Sequence, residues 1–497
     1  MTATIFGADS AQTLEDFERT ATAVALVLRE RGVTAGARVL LKAGNSAGYV
    51  TTLFALMHVG ASIVLVDHRE LGEETTRICE VATVSLCIVD DDAVPPTGVT
   101  VSHIYELLAA AAGRNGEARA RIRIDTWCGL PDGLIMWSSG STGAPKGVVK
   151  TGARFIRNLE RNAAHMGHRP DDVLLPLLPF NHQYGLSMVL IAWIVRCSLV
   201  IAPYRRVDRA LRMAAQTGAT VLDATPATYR TLHNIVSRRA ELTAQLATVR
   251  MFCSGAAPLD PTLVDRYVDL TGHPLLDSYG STELGNISFA TPENPIGTGR
   301  SMAGIGVRIV DDEGTELGHS QVGEIVIDTP DLMEGYLDES GELRPEPRGW
   351  RPTGDLGHLD AAGNLFVDGR KLAVHRMGHT LYPEVIESRV AATGCSTKII
   401  ALPDERRGAS LVFFVEDERS RSAAYWRERI CAVLPVYEQP NRVVVLDRLP
   451  LNRNGKPDRH ELTRRAAERS GASELGAPSE LGASADQSTG EPTSIVA

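Results

Sequence analysis

The chain has 497 residues and a formal net charge of -10, with 43% hydrophobic and 23% charged residues. That length exceeds one compact core and calls for two or more domains, while the acidic balance argues against a general nucleic-acid binder, whose footprint would be basic. Seven scattered cysteines, with no Cys-x-x-Cys pair, read as reduced thiols in a cytoplasmic protein, with neither a disulfide framework nor a zinc site.

The amino terminus, MTATIFGADSAQTLEDF, has acids early and no apolar run, unlike a signal peptide. Residues 13–31 space apolar side chains at helical intervals up to Gly32. ARVLLKAG then reads as a strand, YVTTLFALMHVG as a helix and ASIVLVD as another strand, and the rhythm recurs at 84–90, 196–202, 219–225 and 249–255. Short β-rich runs alternating with helices predict a parallel or mixed sheet covered by helices. The most apolar stretches, Leu53–Val66 and Leu186–Ala202, contain His58 and Arg196 and fall short of the roughly 20 clean residues of a membrane span. A soluble protein is expected.

From about residue 300 the texture changes to short strands and tight turns (GVRIVDDEG, GEIVIDTP, GHLDAAGNLFVDGR), which predicts antiparallel hairpins or a barrel. After Arg370 comes a smaller α+β region, with helices at YPEVIESRVAA and AAYWRERICAVL and strands at TKIIALPD and SLVFFVED. The end of the chain, with its SELGA duplication and few large apolar residues, reads as a disordered tail.

Four motifs carry chemistry. SSGSTGAPKG, Ser138–Gly147, follows the apolar strand LIMW, and its glycines and hydroxyls can turn backbone N–H groups and side chains on phosphate oxygens, with Lys146 adding positive charge. A Walker loop requires Gly-Lys-Ser/Thr, whereas Pro145 precedes Lys146 here, so a P-loop phosphotransferase is excluded. DSYGSTELG, Asp277–Gly285, offers a flat Tyr279 ring for a purine, the Thr282 hydroxyl for phosphate and Glu283 as a hard oxygen ligand for magnesium. In WRPTGDLGHLDAAGNLFVDGR, Asp355 follows a Thr-Gly turn and can hold ribose hydroxyls, while Arg370 closes a strand within reach of ribose or phosphate. LPLNRNGKPDR places Lys456 on a Gly-Lys turn. The chain holds only six lysines among 51 basic residues, and two of them sit in these motifs. Taken singly, each motif also has a bland reading: a linker, a solvated turn, a structural Asp or Arg, a surface lysine.

In this order and at these separations the four motifs resemble the adenylate-forming superfamily of acyl- and aryl-CoA synthetases, peptide-synthetase adenylation domains and luciferases, over residues 13–466. The resemblance implies an α/β fold with a large N-terminal domain over 1–369, built of helix-covered sheets and a β-barrel-like part. A small mobile α+β domain follows over 370–466, with a disordered tail over 467–497. It implies ATP, magnesium and a thiol acceptor. Ser138, Ser139, Gly140, Ser141, Thr142, Gly143 and Lys146 would clamp the phosphates. Gly255, Ala256, Asp277, Ser278, Tyr279 and Gly280 would surround the nucleotide, with Tyr279 on adenine. Thr282 would bind the α-phosphate, Glu283 and Thr142 the magnesium, Asp355 and Arg370 the ribose side, and Lys456 would bridge carboxylate and α-phosphate. Gly378 and His379 match a loop that swings to a thiol tunnel after the small domain rotates. At the hinge, Leu372 stands where the family carries Asp or Lys.

Pro179–Ser187, PFNHQYGLS, bears on the acid. His182 matches the gate between acyl site and thiol tunnel, and Gln183, Gly185, Ser254, Gly280 and Gly285 match substrate-lining positions. Where enzymes for α-amino acids place an Asp on the amine, this chain has Gln183, with no acid nearby; a buried ammonium without a partner is costly. The reading is a stand-alone ligase for an aryl or other small carboxylic acid with CoA as acceptor. The alternatives are loading of a carrier-protein phosphopantetheine in trans, in a natural-product pathway, and a non-catalytic nucleotide-binding relative.

Overall fold

The computed structural model describes residues 2–8, 10–114, 121–138, 146–371, 374–376, 379–404, 407–452 and 456–471. Two large sheets share one core. The first runs, in spatial order, through strands Leu343–Pro345, Gly335–Leu337, Lys146–Lys150, Leu134–Ser138, Ser62–Leu65, Arg38–Lys42, Leu86–Val89 and Thr100–His103. The second runs through Leu275–Leu276, Met251–Ser254, Val221–Ala224, Val173–Leu177, Ser198–Val200, Thr4–Phe6 and Ala11–Thr13. Val39, Ile63 and Leu134 of the first sheet and Leu174, Val221 and Met251 of the second belong to one apolar cluster. Their alternate neighbours, Leu40 and Val64, or Leu175 and Leu222, fill separate clusters on the outer faces. Both faces of the central strands are therefore buried, which is why they read as continuous apolar runs, whereas edge strands such as Leu343–Pro345 are exposed.

The expected helix is Leu14–Glu30, started by Thr13, whose hydroxyl accepts from the Asp16 N–H at 3.1 Å. Helices Ala47–Val59 and Gln183–Val195 are apolar on all sides because they lie inside the core. Thr4–Phe6, only three residues long, is a strand that the sequence pattern does not announce; it pairs in parallel with Ser198–Val200.

Antiparallel pairing is not confined to the region after residue 300: Thr4–Phe6 pairs so with Ala11–Thr13, Leu134–Ser138 with Lys146–Lys150, and Ser278–Ser281 with Gly285–Phe289. A four-stranded antiparallel sheet follows: Gly306–Val310, Gly323–Asp328, Arg351–Leu359 and Leu365–Arg370. In the small C-terminal domain, Ser396–Asp404, Gly408–Glu416 and Arg442–Leu446 form a three-stranded sheet. Ile399, Leu411 and Phe413 fill one face of it, Ile400, Val412 and Phe414 the other. The last helix, Arg459–Gly471, continues past residue 466, where the tail was expected to start, and residues 472–497 lie outside the described residues. All seven cysteines are free thiols, five of them buried. Among the described residues no helix is long and apolar enough to cross a membrane.

Candidate active site

Strands Val173–Leu177, Val221–Ala224 and Met251–Ser254 run parallel and side by side, so the segments that follow them emerge along one carboxyl edge. Such an edge is where open α/β sheets place ligands. His182, Gln183 and Ser254–Ala256 all lie there. His182 caps helix Gln183–Val195, with its Nε2 4.0 Å from Asp67 Oδ2. Gly185 is a packing position: a Cβ there would meet the Pro179 carbonyl oxygen at 2.2 Å. Gly255 has its space closed by Ser278 Oγ, 2.5 Å from a would-be Cβ, and by the Tyr184 ring at 3.2 Å. Ala256 adopts φ +66°, a left-handed conformation that a non-glycine residue holds at some cost. Ser278 Oγ donates to the Ser254 carbonyl at 2.8 Å, tying the hairpin to this edge.

The 277–285 segment is a hairpin with a bulge at Tyr279/Gly280, not an open turn. A Cβ on Gly280 would meet the Gly285 carbonyl at 2.6 Å, so glycine is what allows the two strands to close. Gly285 itself is left-handed, φ +86°, against Asn158. Asn158, on helix Gly152–Met166, accepts from the Asn286 N–H at 2.9 Å and donates to the Asn286 carbonyl and to Asp331 Oδ2, both at 3.0 Å. Sequence reasoning missed this clamp, since a lone helix Asn carries no pattern. Ser278 N–H donates to Asp277 Oδ1 at 2.9 Å, and burial of that carboxyl pushes its pKa up to about 8.

Two clusters meet at the hairpin. In the first, Tyr279 Oη donates to Asp355 Oδ2 at 2.5 Å, and Arg370 Nε pairs with Asp355 Oδ1 at 3.0 Å. Asp355 lies within strand Arg351–Leu359, where left-handed Gly354 (φ +70°) takes the place of the expected turn. Its N–H is held by Thr353 Oγ1 at 3.0 Å. Burial raises the Asp355 pKa against the opposing pull of Arg370 and Tyr279. In the second cluster, Tyr336 Oη donates to Glu283 Oε1 at 3.3 Å, and Lys146 Nζ lies 5.3 Å from the centre of the same Tyr336 ring. The Glu283 backbone is fixed by the Met333 N–H donating to its carbonyl at 2.8 Å. Thr282 stands beside Glu283 in the half-buried hairpin turn. Lys150, four residues beyond Lys146 on the same strand, is buried, and burial pushes its ammonium down to about 8 against the pull of Glu283 and Asp331.

Lys456 comes from the other domain. The residue is exposed as a whole, yet its ammonium is within electrostatic reach of Arg370, Asp355, Glu283 and Glu384. Loss of water around the ammonium, then Arg370, lowers its pKa. Glu384 of the C-terminal helix Pro383–Ala391 accepts from the Arg370 N–H and pairs with Arg459 at 2.9 Å, holding the Lys456 side of the molecule against Arg370. Of the other anticipated residues, Ser138 ends its strand. Ser139, Gly140, Ser141, Thr142 and Gly143 of the phosphate loop, Leu372 of the hinge and Gly378 lie outside the described residues. His379 begins strand His379–Leu381, paired with Val374–Arg376.

Asp355 with its 2.5 Å tyrosine contact suits a diol, and Glu283 suits a divalent ion that shares its remaining ligands with phosphates. Among the described residues no group of three or more His, Cys, Asp or Glu is poised to hold a metal ion. The arrangement provides cations and donors around a place where a phosphate and a second anion meet.

A model of the AMP-binding enzyme family matches residues 1–337. A putative acyl–CoA ligase (YdaB) of Bacillus subtilis is 25% identical over 494 residues, covering 92% of this chain and 95% of the relative. Indoleacetate–CoA ligase of Aromatoleum aromaticum is 26% identical over 468 residues, covering 87% and 89%. Among solved structures, an ATP-bound RpMatB-BxBclM chimera superposes with a TM-score of 0.82 at 26% identity, covering 94% of this chain and 96% of the other.

Proposed function

Because the chain belongs to the AMP-binding enzyme family, we propose that it joins a carboxylic acid to a thiol through an acyl-adenylate. The acid is an aryl or other small carboxylic acid, and CoA is the acceptor. The observation that carries this reading is the approach of Lys456, from the small domain, to Asp355 and Glu283 of the large one. It brings a nucleotide-side carboxylate, a metal-side carboxylate and a cation within electrostatic reach of one another.

Adenylation needs no nucleophilic side chain. A carboxylate oxygen of the substrate forms a bond to the α-phosphorus of ATP, the bond to the pyrophosphate oxygen breaks, and pyrophosphate leaves. Two anions must approach each other, so the residues work by preorganised charge. Lys146 faces the departing phosphates, Lys456 the carboxylate and α-phosphate, and Asp355 with Tyr279 fixes the ribose and base. Glu283 would hold the magnesium that accompanies ATP, which would supply neutralisation of phosphate charge. The Tyr336 hydroxyl orients the Glu283 carboxylate for that task. In the second step the thiol sulfur, giving up its proton, attacks the acyl carbon and AMP departs; His182, beside Asp67, would border the path by which the thiol comes. That relatives are named CoA ligases supports CoA as the acceptor.

The test is a panel of carboxylic acids with ATP and magnesium, read by hydroxylamine trapping and pyrophosphate release, then repeated with CoA. Acid-dependent pyrophosphate and a CoA thioester are expected. Orthophosphate and ADP as products would overturn the adenylate reading, and adenylate that CoA cannot consume would overturn the acceptor.

A further inference from the structure

Three polar side chains at the carboxyl edge of the parallel sheet carry buried atoms with no hydrogen-bond partner among the described residues: Gln183 Oε1, Asp223 Oδ2 and Ser254 Oγ. They are 8%, 2% and 0% exposed, so bulk solvent does not reach them. They come from neighbouring places. Asp223 is the penultimate residue of its strand and its Cα partner across the ladder is Cys253, on the inner face; Ser254, the next residue, turns to the outer face with Ala224. Gln183 opens the helix that follows the other neighbouring strand, Val173–Leu177. Tyr184 links the group: its hydroxyl donates to Asp223 Oδ1 at 3.0 Å, and its ring borders Gly255.

An unpaired buried polar atom is costly, and Gln183 Oε1 and Asp223 Oδ2, joined through Tyr184, point to a ligand that supplies the partners. We infer that Asp223 is a specificity-determining residue, which selects acids carrying a neutral hydrogen-bond donor, a hydroxyl or an aromatic amine, at the end remote from the carboxylate. This rests on the ligase reading above and on the match of Gln183 and Gly185 to substrate-lining positions. The donor follows from the chemistry of the set. Gln183 Oε1 only accepts, an ionised Asp223 Oδ2 only accepts, and Tyr184 already gives its proton to Oδ1. Neutrality follows from depth, because bringing a full ammonium here costs desolvation that one carboxylate repays poorly. Burial, opposed by the Tyr184 hydrogen bond, pushes Asp223 up to about 7, so the carboxyl can present either form to a hydroxyl. The acid that the sequence lacks beside Gln183 is thus supplied 40 residues later by the fold.

The experiment compares benzoate with its hydroxy- and aminobenzoate isomers, and hexanoate with 6-hydroxyhexanoate, in pyrophosphate-release assays. Wild type, Asp223→Leu, Asp223→Asn and Tyr184→Phe are each checked for folding by melting temperature. Wild type is expected to favour at least one donor-bearing acid over its bare partner by about tenfold or more in kcat/KM. Asp223→Leu is expected to reduce that ratio about tenfold, chiefly through KM, with Asp223→Asn between. If Asp223 only positions Tyr184, then Asp223→Leu and Tyr184→Phe slow all acids alike and leave the ratio within threefold, which overturns the inference. A wild type that uses bare acids equally well also overturns it, while leaving the ligase reading intact. A wild type that releases pyrophosphate with no acid in the panel overturns both.

Discussion

Replacing Asp355 by Asn changes two oxygens that are already committed in the folded protein. Oδ2 accepts the Tyr279 hydroxyl at 2.5 Å, and Oδ1 pairs with Arg370 at 3.0 Å. The Arg370 side chain is 49% exposed, so solvent screening limits that pair to about 0–1 kcal/mol. The amide keeps an acceptor for Tyr279 and loses only the charge-assisted part of that bond, about 1 kcal/mol. Against these losses, the buried carboxylate already pays for its desolvation, seen in its raised pKa, and the amide removes that cost. Stability should therefore change by no more than about 1 kcal/mol. Binding should suffer more. A carboxylate accepts from both ribose hydroxyls, whereas an amide accepts from one, so one charge-assisted bond of about 1.5–3 kcal/mol is lost and KM for ATP should rise roughly 10- to 100-fold. Pyrophosphate release measured with ATP and with 2′-deoxy-ATP separates this from general damage. Wild type should prefer ATP, and the variant should have lost most of that preference because the bond at stake is already gone. A folded variant with unchanged KM for ATP, or with an undiminished ATP to deoxy-ATP ratio, would refute the assignment of Asp355 to the ribose.

Lys456→Ala should slow adenylation roughly 100- to 1000-fold, about 3–4 kcal/mol, yet largely spare thioester formation from a supplied acyl-adenylate; equal loss in both half-reactions would contradict the two-conformation scheme. Tyr336→Phe should raise the magnesium concentration needed for half-maximal rate several-fold, because Glu283 loses its 3.3 Å donor, and an unchanged magnesium titration would show that the contact is incidental. Asp223 holds its proton more tightly folded than unfolded, with a pKa of about 7 against an ordinary 3.8. Its contribution to stability is therefore complete below about pH 4 and is lost as pH rises toward about 7. Asp223→Asn lacks that loss, so relative to wild type it should gain about 2–3 kcal/mol between pH 5 and pH 7.5 in denaturant titrations, and parallel pH profiles for the two proteins would disprove the raised pKa.

Much of the fold is local, and local patterns carried it. The runs ARVLLKAG, ASIVLVD and ATVLDAT declare strands because both of their faces are buried, and an apolar run of that length between turn residues has few other uses. Glycines at Gly280, Gly285 and Gly354 mark backbone that side chains would block, which made the motifs around Tyr279 and Asp355 legible. What the sequence could not contain was the partner of each polar group. Tyr336 reaches Glu283 because strand Gly335–Leu337 pairs with Lys146–Lys150 in a register set by the whole sheet. Asn158 grips the hairpin from a helix more than 100 residues earlier. Tyr184 meets Asp223 only because their segments adjoin in the order in which the second sheet is wound. Periodicity reports whether a residue is buried. Which buried polar atom it then faces depends on strand order and register, and those are decided by the packing of elements distant in the chain.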